Sequence, residues 1–285
     1  MSQAFRQEIG CLTLDTESVV RFSAFFGVLV VMAIWEAAAP RRERQIPRLL
    51  RWTNNFGVAA INALLVRLIF PGALIALAQL AQARGWGALN SFEAPVWCEF
   101  FVAMLALDLT IYLQHWAFHR APPLWRLHRM HHADLEFDVS TGLRFHPLEI
   151  LLSVGVKAAA IIVLGPPAAA VLAFEVLLNA ASLFNHGNVR IPRRLDRLLR
   201  LAIVTPDMHR VHHSVHADEM NSNFGFNLPW WDRAFGTYRA QPRDGHATMA
   251  IGLKSFRSPR QLWLHRMLVQ PFLSDRHPPT RAREP

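Results

Sequence analysis

Two cysteines, Cys11 and Cys98, are all that 285 residues contain. So few exclude a disulfide framework and a cysteine zinc site. Charge is scarce too: 18% of residues are Asp, Glu, Lys or Arg, while 52% are hydrophobic. Soluble domains carry about 25% charged residues, and the mean hydropathy here is +0.17. Both values point to a membrane protein. No Gly-x-Gly-x-x-Gly, phosphate-binding loop or haem-attachment pattern occurs, so the chain carries no recognisable nucleotide or haem of its own. A His-Glu-x-x-His box is missing as well. The first apolar run begins near Phe22 after an acidic segment, without the basic start or small-residue cleavage site of a signal peptide. Beyond a recurring histidine box the sequence has no internal repeat.

The charge that is present has a pattern. The net charge of +9 comes mostly from arginines in short clusters beside apolar segments, the habit of cytoplasmic loops on an anionic leaflet. Nucleic acid is not expected as a partner. An apolar run at 22–39 ends at Pro40 and is followed by Arg41, Arg42, Arg44, Arg48 and Arg51. That cluster places the loop in the cytoplasm and the N-terminus outside. A second run, 56–83, is interrupted by Arg67 and Pro71-Gly72, so a tilted or kinked span is expected. Residues 84–93 then form an external loop. A third run, 94–116, contains Glu99 and Asp108, acids expected to face the bundle interior. Runs at 150–164 and 168–184 are hinged at Gly165-Pro166-Pro167 and are short for full spans. They read as a hairpin. Arg190, Arg193, Arg194, Arg197 and Arg200 follow on the same side as the first cluster.

The expected fold is all-α: an integral membrane helical bundle of about four spans or hairpins with a cytosolic histidine-rich helical cap. Three regions are expected: an N-terminal membrane region 1–93, a catalytic region 94–240, and a C-terminal cytosolic tail 241–285 whose last dozen residues read as disordered. The segment 221–238, rich in Asn, Gly and aromatics, reads as an ordered loop.

Histidine is what the chain has in excess. His115, His119, His128, His131 and His132 fall within eighteen residues, and a second His-x-x-His-His box returns as His209, His212 and His213. At helical spacing, i and i+3 or i+4 share a face, so each box can turn imidazoles to a common point. Eight histidines exceed what one ion uses, and two ions sharing them is the economical reading. Imidazole suits zinc, copper, nickel and iron, and no thiolate competes. A catalytic zinc site takes about three protein ligands, leaving most of these idle, although zinc in a purified sample is compatible with the donors. His246, His265, His277 and His216 read as ordinary surface or hydrogen-bonded residues. Two rival classes stay open: a non-oxidative membrane metal-binding protein, which would need ligands along a membrane path, and a zinc-dependent membrane hydrolase, which would need a general base.

The order of motifs goes further. After the first two boxes come Arg144-Phe145-His146-Pro147-Leu148-Glu149 and Asn185-His186-Gly187-Asn188. The last box leads into Asn223-Phe224-Gly225 and then Trp231-Asp232-Arg233-Ala234-Phe235-Gly236-Thr237. This set, over roughly residues 95–240, resembles the fatty acid hydroxylase/sterol desaturase superfamily of integral-membrane di-iron oxygenases. The resemblance implies two Fe ions at the cytosolic face and O2-dependent hydroxylation or desaturation of a lipid substrate. Electrons would come from a separate donor, a ferredoxin, cytochrome or reductase. It implies as ligands His115, His119, His128, His131, His132, His209, His212 and His213, with His186 as a further one. Ser182 stands where some members carry another histidine, and His146 is the natural substitute. Beyond the metal centre no catalytic residue is expected. Asp108, Asn185 and Asn223 are candidates to accept from ligand N–H groups. Glu149 and Asp207 read as carboxylates that are solvated or cap helices rather than bind metal. Trp230 and Trp231 read as interfacial anchors.

Overall fold

The computed structural model describes residues 14–70, 72–91 and 93–274; residues 1–13 and the end of the expected tail lie outside the described residues. Among the described residues every regular element is helical, and the only bridges join Pro40 to Val189 and Ser214 to Ile251. Helix α1 (Leu14–Ala38) stops just before Pro40, which cannot continue the hydrogen-bonded ladder. Helix α2 (Arg48–Ile69) and helix α3 (Ala73–Arg84) follow. The expected kinked span 56–83 is thus two helices, with Gly72 left-handed at φ 66° between them. Helix α4 (Val96–Arg120) outruns the expected 94–116, so one continuous helix carries both His115 and His119. Pro122 and Pro123 open helix α5 (Pro122–His132), where their missing N–H groups cost nothing. Helix α6 (Pro147–Leu164) ends at Gly165, left-handed at φ 64°, and helix α7 (Ala168–Asn185) returns after Pro166-Pro167. A side chain at Gly165 would run into the Trp86 carbonyl. The two apolar runs do form a hairpin.

Five helical segments are long and apolar enough to cross a membrane. Leu107 and Ile111 of α4, Val154 and Ile161 of α6, and Val171 and Phe174 of α7 pack with Leu74, Ile75 and Ala78 of α3 into the main apolar core. The outward faces are apolar as well. Ile34, Phe101 and Leu152 are exposed, and Val163 is 68% exposed. Contiguous apolar surface of that kind belongs in a bilayer. One group of charges inside this region is paired: Glu175 of α7 takes Arg21 of α1 at 2.6 Å and also Lys157 of α6. Three helices are tied by one carboxylate.

The extramembrane part is built from short pieces. Helix α8 (Arg193–Leu199) and helix α9 (Pro206–His212) follow α7, and helix α10 (Leu264–Val269) lies near the end. Arg41 N–H donates to the Asn188 carbonyl at 3.0 Å, and Arg190 N–H donates to the Ala39 carbonyl at 2.9 Å. The two arginine clusters therefore meet at one end of the bundle. Residues 241–274 of the expected C-terminal tail pack on the helices. Arg126 Nε donates to the Pro271 carbonyl at 2.8 Å, Arg129 Nη2 donates to the Gln270 carbonyl at 2.5 Å, and Leu264 N–H donates to Asn54 Oδ1 at 2.7 Å. The C-terminal segment is strapped across α2 and α5.

Candidate metal centre

Each histidine is placed by a helix end. His115 and His119 close α4, His128, His131 and His132 close α5, His186 caps α7, and His209, His212 and His213 lie on or just after α9. The folded chain sorts them into two groups, each with ring nitrogens within 4.8 Å of one another. The first holds His115, His119, His128, His132 and His212; the second holds His131, His186, His209 and His213. Every i,i+4 pair stays together: 115 with 119, 128 with 132, and 209 with 213.

Hydrogen bonds on the outer ring nitrogens fix how these imidazoles are protonated. A carbonyl or carboxylate only accepts, so the nitrogen facing it must carry the proton. His115 Nδ1–H donates to the Phe224 carbonyl at 2.8 Å and His212 Nδ1–H to the Ser222 carbonyl at 2.7 Å. His128 Nδ1–H donates to Glu149 Oε1 at 2.6 Å, and His186 Nδ1–H to the Ser182 carbonyl at 2.7 Å. Their Nε2 atoms are left as bare lone pairs, yet these converge. His115 Nε2 lies 3.1 Å from His128 Nε2, and His186 Nε2 lies 3.1 Å from both His131 Nε2 and His209 Nε2. Between His115 and His128, each with its proton on the outer nitrogen, facing lone pairs at that distance repel unless a cation lies between them. With metal–nitrogen bonds of about 2.0–2.1 Å, two ligands at right angles stand about 3 Å apart. The donor set fits two divalent first-row ions, one per group.

Burial favours the neutral form, which metal ligands must have, at several of these rings. Burial, then the nearby His128 ring, pushes His212 down to about 3. Burial pushes His186 down to about 4 against the opposing pull of the Ser182 carbonyl. His131 and His132 fall well below the ordinary value for the same first reason, with neighbouring imidazoles adding to it. Aromatic walls close the site. Phe145 stacks on His131 at 4.3 Å between ring centroids, and Phe137 and Phe224 flank the second and first groups.

Several expected roles fall elsewhere. His146 stands outside both groups. It caps α6, its Nδ1 accepting from Leu148 N–H at 3.2 Å while its Nε2 meets the Leu268 carbonyl at 3.1 Å. With both nitrogens engaged on backbone it does not replace a histidine at Ser182. Instead the Ser182 carbonyl orients His186. Asp108 touches no histidine: it accepts from Asn227 Nδ2 and Trp231 Nε1, each at 2.8 Å. Trp231 is therefore a buttress for the loop, while Trp230, its Nε1 donating to the Leu201 carbonyl, is the exposed one. Asn185 and Asn223 bond backbone carbonyls of Phe226 and Met208, holding loops rather than rings. Asp207 pairs with Arg210 and Arg41. Glu149 is neither solvated nor a cap but the partner of His128.

Sequence reasoning missed the anchor beneath the second box. Arg51, fully buried, makes a two-pronged pair with Asp134 at 2.8 Å on each prong. It also reaches Asp138 and donates to Thr141 Oγ1 at 2.9 Å. Burial alone would raise the Asp134 carboxyl, but the Arg51 guanidinium holds it far below the usual carboxylate range. Glu36 of α1 accepts from Val139 N–H at 2.7 Å and Asn188 N–H at 2.8 Å. Through these bonds α1 and α2 hold the loop after His132 and the turn after His186. The signal was present as a glutamate ending an apolar run and an arginine cluster after it.

With this geometry in place, the comparisons support the fatty acid hydroxylase/sterol desaturase superfamily: the family model described as Fatty acid hydroxylase matches residues 100–237, just under half of the chain. It is 30% identical over 185 residues to the ornithine lipid hydroxylase of Rhizobium tropici, covering 64% of this chain and 54% of that protein. It is 27% identical over 164 residues to the alkylglycerol monooxygenase of Homo sapiens, covering 55% of this chain and 34% of that one. The Danio rerio alkylglycerol monooxygenase matches at 27% over 194 residues, 67% of this chain and 41% of that protein. The chain thus spans about half or less of the length of these relatives. No solved structure matches it.

Proposed function

We propose that the protein is a membrane-embedded oxygenase that hydroxylates a polar-headed lipid with O2, using two irons and electrons from a separate protein. The observation that carries this is the pair of adjoining neutral imidazole groups at the end of apolar helices. One neutral group suits a single ion for binding or hydrolysis, whereas two beside each other suit joint work on dioxygen. Iron, when bound, supplies O2 activation and an oxidant for unactivated C–H bonds. The chain binds, orients and excludes water: the His115 to Phe224 and His128 to Glu149 contacts fix ring directions, and Phe137, Phe145 and Phe224 keep the space between rings dry. The balance is one C–H bond and O2, with two electrons and two protons, giving one alcohol and one water. Relatives named for ornithine lipid and alkylglycerol favour hydroxylation of such lipids over desaturation.

Membrane vesicles holding the protein, a reductase chain and lipid are expected to place one atom of labelled O2 in a hydroxylated product. Mass spectrometry of the lipid reads this directly. An unlabelled alkene would change the reaction to desaturation, and turnover unchanged without O2 would end the oxygenase reading.

The arginine clusters at 41–51 and 190–200 set the membrane orientation. Because they meet at the histidine end of the bundle, the positive-inside rule puts that end in the cytoplasm. Reporters fused within both clusters are expected to respond as cytoplasmic, and one inserted at Asn90 as external. Reporters on opposite sides at the two clusters would overturn the orientation.

A further inference from the structure

The two histidine groups are not equally built. In the five-histidine group, three rings are held from behind: His115 by the Phe224 carbonyl, His212 by the Ser222 carbonyl and His128 by the Glu149 carboxylate. In the four-histidine group only His186 is held so, by the Ser182 carbonyl. Among the described residues, Nδ1 of His131, Nδ1 of His209 and both ring nitrogens of His213 have no hydrogen-bond partner. A ring with no outer partner keeps its torsional freedom until the metal fixes it, and its buried N–H gains nothing in return.

Charge adds to the difference. Glu149 is the one carboxylate bonded to either group among the described residues. It is 4% exposed, and no Arg or Lys there pairs with it. A carboxylate so placed needs a cation, and the nearest place for one is an ion on the far nitrogen of His128. Carboxylate, imidazole and metal in line raise the basicity of the ligand and fix its tautomer. The four-histidine group has no such line.

Resting on the reading of these groups as metal sites, we propose that Glu149 makes the two positions unequal. The five-histidine position loads first and holds its ion, and the four-histidine position fills second and exchanges. Glu149 is a positioning residue that acts through His128. Under this arrangement the exchangeable ion, held by fewer and freer rings, is the one whose coordination shifts during turnover.

The test uses the full-length protein in lipid nanodiscs, stripped of metal and titrated anaerobically with cobalt(II) alone. Visible absorption and bound cobalt are read together. Two phases of one equivalent each are expected, the first at least about tenfold tighter. H212A is expected to remove the tight phase and H213A the weak one. E149Q is expected to weaken the first phase by about 10- to 100-fold while leaving the second unchanged, which also reports that the fold survives. E149D, which keeps the charge, is expected to recover part of the loss. In the H212A background E149Q is expected to do nothing further. The inference is overturned by two equivalents binding in one phase, by H213A removing the tight phase, or by E149Q weakening both phases alike. If E149Q binds neither ion, the order seen in H212A and H213A decides. A wild-type protein that binds no cobalt at all would instead sink the metal-site reading on which this rests.

Discussion

Arg51→Ala is expected to collapse the extramembrane cap while leaving the apolar helices in the bilayer. The side chain is fully buried and pairs with Asp134 and Asp138, both fully buried too. Removing it strands two carboxylates out of water, a loss of about 3–5 kcal/mol for a broken buried pair, with the contact to Thr141 gone as well. That is a large share of the 5–15 kcal/mol or so that folded domains hold in reserve. Residues 134–141 would come loose, and with them the end of α5 that carries His131 and His132. The readouts are limited proteolysis of the cap and metal content in detergent. Arg51→Lys keeps a charge but loses the two-pronged geometry, and is expected to fall between wild type and Ala. Normal metal content and protease resistance in Arg51→Ala would show that the pair is dispensable.

The second large effect is on turnover. His212→Ala and His131→Ala each remove one ring from a different group. Both are expected to drop lipid oxidation below detection, because joint work by two ions needs both. Metal content is expected to fall toward one ion per chain in each. His265→Ala is the control: the ring is exposed, belongs to neither group and touches Trp263, so activity and metal content should match wild type. Full activity in either box variant would mean that the histidine groups are not the reacting centre.

How the histidines divide was not legible in the sequence, though their presence was. Spacing alone turned each box toward one common point, because a helical turn brings i and i+3 or i+4 to one face, and the structure instead divides the last two boxes between the groups. Spacing could not say that the neighbours His131 and His132 part company. Consecutive residues on a helix point about 100° apart, so an adjacent pair serves two points better than one. His212 and His213 part in the same way, and only the packing of α9 against α7 and α5 decides which ring goes where. The spans were plain from composition, since apolar runs and the prolines that end them are local signals. The break at Gly72 and the full length of α4 depended on tertiary packing. His146 was misread because a histidine before a proline is both a plausible ligand and a natural start to a helix. Glu149 was misread because its partner lies 21 positions earlier, beyond any local pattern. Arg51 was read for the side of the membrane it marks, when burial makes it an anchor.

The contacts of Glu36 and Arg51 separate the stretch covered by the family model from the unit that folds. That model covers residues 100–237, and all nine grouped histidines lie inside it. The bonds that hold the turn after His186 and the loop after His132 start outside it, at residues 36 and 51. Excising that stretch would keep all nine grouped imidazoles and discard the arginine and glutamate that hold them in register. Synthesis meets the same condition in time. The two helices that carry these anchors are made first and have to wait in the membrane, since Asp134 and Asn188 emerge only after most of the bundle is threaded. The second group stays incomplete until His213 has left the ribosome, so neither anchor can hold both groups in register before then.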